Sequence, residues 1–127
     1  YKMKWDWIST GFYQDEKLIG LNLTVNQAIN PKKYNENRIW IDGKITQLPL
    51  VIFTRYKDVW VIESKCKKVQ LQFYPLYPKN VKINLGIFGG SDYQGPFGRV
   101  TGVISTEEER IDINKEFAFA EKQYIRC

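Results

Sequence analysis

Apolar and polar residues alternate along most of this chain, and the alternation is clearest over residues 19–25, 69–74 and 81–88. Successive side chains of a β-strand point to opposite faces, so this pattern predicts strands with one apolar and one polar face. Because the pattern recurs from one end of the sequence to the other, it favours one antiparallel sheet that folds back on itself.

Short polar or glycine-containing segments separate the alternating runs. Asp42 and Gly43 stand between two such runs and form the strongest hairpin signal in the chain. Two longer loops are expected at 28–36 and 89–98, and loops carry specificity more often than strands do. The pattern predicts ten strands, at 4–13, 17–27, 37–42, 45–55, 58–64, 68–74, 80–89, 98–105, 110–113 and 115–125. Ten short strands with hairpin turns are typical of an all-β barrel or a flattened β-sandwich.

The composition is that of a chain with a hydrophobic core and excludes several kinds of active site. A length of 127 residues with 43% hydrophobic residues suits a single β domain, 1–127. Histidine is absent, which excludes Ser-His-Asp and Cys-His nucleophile systems within this chain. With only Cys66 and Cys127 as thiols, we expect no metal site, no cofactor and no disulfide scaffold.

Positive charge is concentrated in the first half of the chain. Residues 1–68 hold 12 Lys or Arg against 7 Asp or Glu, whereas residues 69–127 hold 7 of each. A basic segment of this kind can bind an anionic partner, or its lysines can simply face the solvent. No RNA-binding aromatic motif, basic helix or zinc finger is present, so we do not expect a nucleic-acid partner.

No stretch of about 20 apolar residues is present, so we expect no transmembrane segment and a cytoplasmic location. The chain begins Tyr-Lys-Met-Lys-Trp, from which we expect it to be a piece of a longer protein. In the basic run of residues 65–68, we expect the neighbouring lysines to lower the pKa of Cys66 modestly.

Four segments, in this order, resemble the domain of unknown function 2804 family, specifically its C-terminal part. They are residues 20–23 (GLNL), 36–44 (ENRIWIDGK), 94–99 (QGPFGR, followed by Gly102) and 121–124 (EKQY). Two of these segments depart from the family's pattern. Gln123 takes a place where the family commonly has His, and Cys127 takes the place of a Trp. The third segment also contains an inserted glycine, Gly95.

The resemblance implies a fold and a kind of ligand, but no particular activity. The family is distantly similar to lipocalin-like two-barrel proteins that include carotenoid hydratases and tocopherol cyclases. That kinship implies an antiparallel calycin-like barrel, an apolar small-molecule partner and an N-terminal part that forms another barrel. Fold-level kinship does not assign a function.

Two carboxyls are candidate catalytic acids. Glu121 follows an apolar run, and Glu36 opens a strand. Burial raises the pKa of a carboxyl, which suits a general acid beside an apolar pocket. Asn22 and Asn37 would orient such an acid. The alternative is that these groups face water or pair with an arginine.

Further polar and aromatic side chains are candidate ligand contacts. With Asn22 and Asn37, they are Trp40, Asn84, Arg99 and Tyr124. Three functions follow. The first is a lipocalin-like module that binds an apolar or amphipathic small molecule. The second is a cofactor-independent, acid-catalysed hydratase or cyclase, and the third is a structural domain that packs against another.

Overall fold

A computed structural model describes residues 2–26, 36–77, 80–84 and 90–126. These residues form eleven β-strands and, within those ranges, no helix. The strands are β1 (Lys2–Gln14), β2 (Lys17–Asn26), β3 (Arg38–Ile41), β4 (Lys44–Gln47), β5 (Ile52–Arg55), β6 (Trp60–Glu63), β7 (Val69–Tyr77), β8 (Asn80–Asn84), β9 (Gly90–Gln94), β10 (Phe97–Ser105) and β11 (Arg110–Arg126). The all-β prediction is confirmed.

All eleven strands belong to one antiparallel sheet that curls around its core. The order is β4-β3-β2-β1-β11-β10-β7-β6-β5, and β9 pairs with both β8 and β11. The two strands at the ends of this order, β4 and β5, are consecutive in the chain and are joined by residues 48–51. Four residues span at most about 14 Å, so the sheet has to bend until its two ends come close. The curled sheet agrees with the expected barrel-like architecture.

The predicted alternation accounts for the core. On β1, Ile8 and Phe12 point inward, and on β2 the inward residues are Ile19, Leu21 and Leu23. Their sequence neighbours lie on the outer face because side chains alternate along a strand. The other buried hydrophobic residues are Ile39, Ile41, Leu48, Val51, Trp60, Ile62, Val69, Leu71, Phe73, Val100, Ile104, Ile111, Ile113, Ala118 and Ala120.

Three predicted strand boundaries were wrong. The run 45–55 is broken into β4 and β5 around Pro49, because proline cannot donate to a strand ladder. The run 89–98, expected as a loop, contains β9 and the start of β10. Residues 110–113 and 115–125 form one strand, β11. Its break at residue 114 is a bulge, where Thr101 faces two residues of β11.

The turns agree with the hairpin prediction at one position and add a second tight turn, and some predicted segments lie outside the described residues. Asp42 and Gly43 both have positive φ, 50° and 86°, as the hairpin signal predicted. Asp15 and Glu16 also have positive φ, 51° and 64°, although neither is glycine. Residues 85–89 of the predicted strand 80–89 and residues 28–35 of the first loop lie outside the described residues.

Gly98 provides a test of the register between β10 and β7. A Cβ at this position would overlap the Tyr74 carbonyl group and lie 3.0 Å from the Pro75 Cα, so neighbouring backbone would have to move. We expect Gly98→Ala to destabilise the domain by about 2 kcal/mol or more in urea unfolding. Gly11→Ala is the matched control, because its Cβ would meet only the Ile19 carbonyl oxygen at 3.8 Å. Equal stability of the two variants would contradict this register.

Candidate functional site

A cavity of about 460 Å³ opens at the end of the sheet where β5 turns into β6. Its wall is formed by β5, β6, β7, β9 and β11, with residues 56–58 before β6 and Pro96 before β10. The lining residues are Arg55, Tyr56, Lys57, Asp58, Trp60, Pro75, Gln94, Pro96 and Lys122. Gln94 and Pro96 come from the segment 89–98 that was expected to carry specificity.

Strand pairing brings the lining side chains to the same face. Arg55 ends β5 and pairs with Trp60, the first residue of β6. The turn between them is closed by the Tyr56 amide, which donates to the Val59 carbonyl oxygen at 2.9 Å. On β11, Lys122 follows the buried Ala118 and Ala120 on the inner face. Its register partners are Asp6 on β1 and Gln94 on β9.

Arg55 is the most constrained polar side chain at this end of the sheet. Its Nη2 lies 2.7 Å from Oδ1 of Asp6, and the two side chains are only 16% and 9% exposed. Its guanidinium carbon lies 4.0 Å from the centroid of the Trp60 ring and 5.6 Å from that of Phe53. Stacking on an aromatic face and pairing with a carboxylate both hold an arginine in one orientation.

The Arg55–Asp6 pair is buried but incompletely satisfied. Nη2 and Oδ1 form a close ion pair, but the Arg55 Nε has no acceptor among the described residues. Burial lowers the pKa of Arg55, and the charge of Asp6 opposes that change. Nε is therefore a buried donor without an acceptor in the described part of the chain, and Nη2 is committed to Asp6.

The buried amide Asn37 joins β2 to the segment after β4. Its Oδ1 accepts the Thr24 amide at 2.8 Å, and its Nδ2 donates to the Pro49 carbonyl oxygen at 2.9 Å. Asn22 lies on the outer face, where its Oδ1 accepts from Trp7 Nε1 at 2.6 Å. Glu36 is exposed, and its carbonyl oxygen accepts from Asn22 at 3.3 Å.

The other predicted site residues are spread over the sheet. Glu121 is half-buried on the outer face, where Oε1 accepts from Trp5 Nε1 at 2.9 Å. Trp40 is half-buried beside Gly20, and Arg99 is exposed with its guanidinium 5.8 Å from the Phe117 ring. Tyr124 follows Lys122 on the inner face and is half-buried. Asn84 ends β8, and its side chain lies outside the described part.

Sequence reasoning missed Asp6, Arg55 and Lys122 as members of one site. The available signal was the alternation of strand faces, in which every second side chain points to the same side. Asp6 stands two positions before the apolar Ile8, and Arg55 stands two positions after Phe53. Each charge thus occupies an inward position of an alternating strand. Sequence alone could not bring them together, because β1 and β5 are far apart in the order of the sheet.

A second cavity, of about 420 Å³, lies at the turn that contains Cys66. Its lining residues are Thr46, Gln47, Leu48, Pro49, Cys66, Lys68, Ser105, Thr106, Glu107 and Glu108. The pKa of Cys66 is lowered, as expected, but the leading cause is a hydrogen bond with the Ser64 hydroxyl at 3.4 Å; the nearby Lys68 charge contributes less.

The fold and cavity define an all-β protein with one curled antiparallel sheet and a half-open cavity at one end. The family model for the domain of unknown function DUF2804 matches residues 1–127, and the chain belongs to this family. No curated protein and no solved structure matches the chain.

In the described ranges no group of three or more His, Cys, Asp or Glu side chains could hold a metal ion. The same part of the chain contains no helix able to cross a membrane.

The Asp6–Arg55 pair gives a stability prediction. Asp6→Asn leaves the Arg55 cation buried without its counter-charge, so we expect a loss of about 3 kcal/mol in urea unfolding. Asp112→Asn is the matched control, because Asp112 pairs with Arg110 on the surface. We expect less than about 1 kcal/mol there. When Arg55→Gln is added to Asp6→Asn, it should destabilise the domain less than Arg55→Gln does by itself. If the two losses of unfolding free energy simply added, that would argue against the pair.

The thiol of Cys66 gives a pH prediction. In a Cys127→Ser background, the lowered pKa of Cys66 means that the rate of alkylation by iodoacetamide should reach half its maximum at a lower pH than in the same protein unfolded in urea. Ser64→Ala removes the leading stabiliser of the thiolate, so the midpoint should move to higher pH. Circular dichroism would verify that the variant remains folded, and an unmoved midpoint would assign the lowered pKa to the backbone around Lys68.

Proposed function

We propose that this domain is a binding module for an apolar or amphipathic small molecule, held in the cavity beside Arg55 and Trp60. The observation that carries the proposal is the cavity itself. Its volume of about 460 Å³ falls within the roughly 300–1,000 Å³ of small-molecule sites, and its lining combines the apolar Trp60, Pro75 and Pro96 with several charged and amide side chains.

The apolar wall is rigid, which favours binding. Trp60 is buried and packs edge-to-face on Phe73, with ring centroids 5.5 Å apart. Pro75 and Pro96 contribute side chains whose backbone torsion is restricted. The Pro96 carbonyl oxygen also accepts the Ala120 amide at 3.0 Å, so this wall is tied to β11. A preformed wall reduces the entropy lost when a ligand binds.

The fluorescence of Nile red, an uncharged apolar dye, tests the proposal. We expect the protein to bind the dye, and Gln94→Trp to weaken binding at least tenfold because the indole fills part of the cavity. Gln70→Trp is the matched control, since Gln70 is exposed on β7 and does not line the cavity. Native mass spectrometry would show whether a small molecule purifies with the unmodified protein. Equal dye binding by both variants would place the dye elsewhere and contradict the proposal.

A structural or packing role is supported by a different surface. Phe97, Phe117 and Phe119 form an aromatic cluster on the outer face of β10 and β11, with the Phe117 and Phe119 centroids 5.0 Å apart. Phe117 is 40% exposed and Phe119 is 52% exposed. Contiguous exposed apolar surface marks interaction sites. If no small molecule binds the cavity, this role becomes the leading proposal.

The enzymatic alternative stays a prediction. It assigns acid catalysis to Glu121 or Glu36, and neither residue lines the cavity. Glu121 neighbours the cavity residue Lys122 along β11, but consecutive side chains on a strand point to opposite faces. The proposed binding function therefore does not depend on either carboxyl.

A further inference from the structure

We infer that the ligand of this cavity is a singly charged anion with an apolar body, whose oxyanion head is held by Arg55 and Lys122. The inference rests on the proposed binding function and specifies the chemistry of the ligand. A fatty carboxylate is the simplest molecule of this class.

The charges around the cavity favour an anion. Three cationic side chains, Arg55, Lys57 and Lys122, line it, whereas Asp58 is the single lining carboxylate in the described part of the chain. Asp6 stands beside Arg55 and neutralises a second cation. One positive charge remains in excess, which matches one negative charge on a ligand.

The orientation of Arg55 prepares it to receive that charge. Trp60 supports the plane of the guanidinium, and Asp6 holds its Nη2 side. Because Nε and Nη2 are buried, Nη1 is the nitrogen that a molecule in the cavity can reach. Charge-assisted hydrogen bonds from a fixed guanidinium to an oxyanion are among the stronger polar contacts in proteins.

Lys122 offers a second cationic group from another strand. It is half-buried on the inner face of β11 and lines the same cavity as Arg55. Its register partner is Asp6, but no ion pair joins the two side chains in the described structure. A half-buried ammonium without a counter-charge gains more from a bound anion than a fully solvated one does.

The apolar part of the ligand has its own surface in the cavity. Trp60, Pro75 and Pro96 are the apolar side chains among its lining residues. A simple inorganic anion would use the cations and leave this wall in contact with water, whereas an amphiphile would cover both. The second cavity differs in charge, because Glu107 and Glu108 outnumber its single cation, Lys68.

Displacement of Nile red by three ten-carbon amphiphiles tests the sign of the charge. The probes are decanoate, decanol and decyltrimethylammonium, used at the same pH and ionic strength and below their micelle concentrations. We expect decanoate to compete at least about tenfold better than either of the others, as one charge-assisted contact would give.

Two variants test the residues. Lys122→Gln should weaken competition by decanoate about tenfold and leave decanol unchanged, whereas Lys17→Gln, at the exposed start of β2, should change neither. Arg55→Lys keeps the charge but loses the planar guanidinium, so it should weaken decanoate less than the charge-free double variant Asp6→Asn/Arg55→Gln does.

The outcomes separate this inference from the proposed function. Equal competition by decanoate and decanol, or an unchanged decanoate affinity in Lys122→Gln, would overturn the anionic head while the binding module stands. Nile red binding that is insensitive to Gln94→Trp would overturn the binding module itself. Stronger competition by decyltrimethylammonium would reverse the assigned sign.

Discussion

The long strand β11 is the constraint on which the rest of this structure depends. Residues 118–126 pair with β1 on one side. On the other side, residues 110–119 pair with β10 and residues 122–126 pair with β9. In the order of the sheet, this one strand thus joins the first strand of the chain to its second half. The bulge at residues 114–115 adds a local bend where the sheet curls.

The curl also depends on a polar contact in the core. Asn37 has no exposed surface, yet both ends of its amide are satisfied by backbone groups of β2 and of the segment that leads from β4 to β5. The Leu48 amide donates to the Asn37 carbonyl oxygen at 2.9 Å and adds a third bond. A buried amide is tolerated only when it is fully hydrogen-bonded, so this residue specifies one path for the chain between the two ends of the sheet.

Sequence patterning predicts the fold better than it predicts the site, and the reason is physical. The alternate positions of Ile19, Leu21 and Leu23 indicate which face of β2 is buried, because each strand buries its own apolar side chains. The break at Pro49 was also recoverable, since proline interrupts a ladder wherever it occurs. By contrast, β9 lies in a glycine-containing segment with little alternation, and its pairing with β8 and β11 makes it a strand.

The site required information that no local pattern holds. Asp6 and Arg55 become partners only after the sheet has curled, and their strands are separated by most of its order. The alternation of strand faces could identify each as a charge on an inward position, but it could not show that the two charges meet. Polar residues such as Asn22 and Glu121 were easier to notice, yet they stabilise the outer face through tryptophan hydrogen bonds.

The Asp6–Arg55 pair explains why a charged site and a well-packed core can share one small sheet. Toward β7 and β10 the interior is filled by residues such as Phe73 and Ile104. At the cavity end, the same inward positions carry ions. Replacing a buried ion pair with apolar side chains often preserves or increases stability, so stability alone gives little reason to place a pair here. A buried pair that stands beside a cavity fits the proposed binding function, in which an anion at Nη1 would offset part of the desolvation of Arg55.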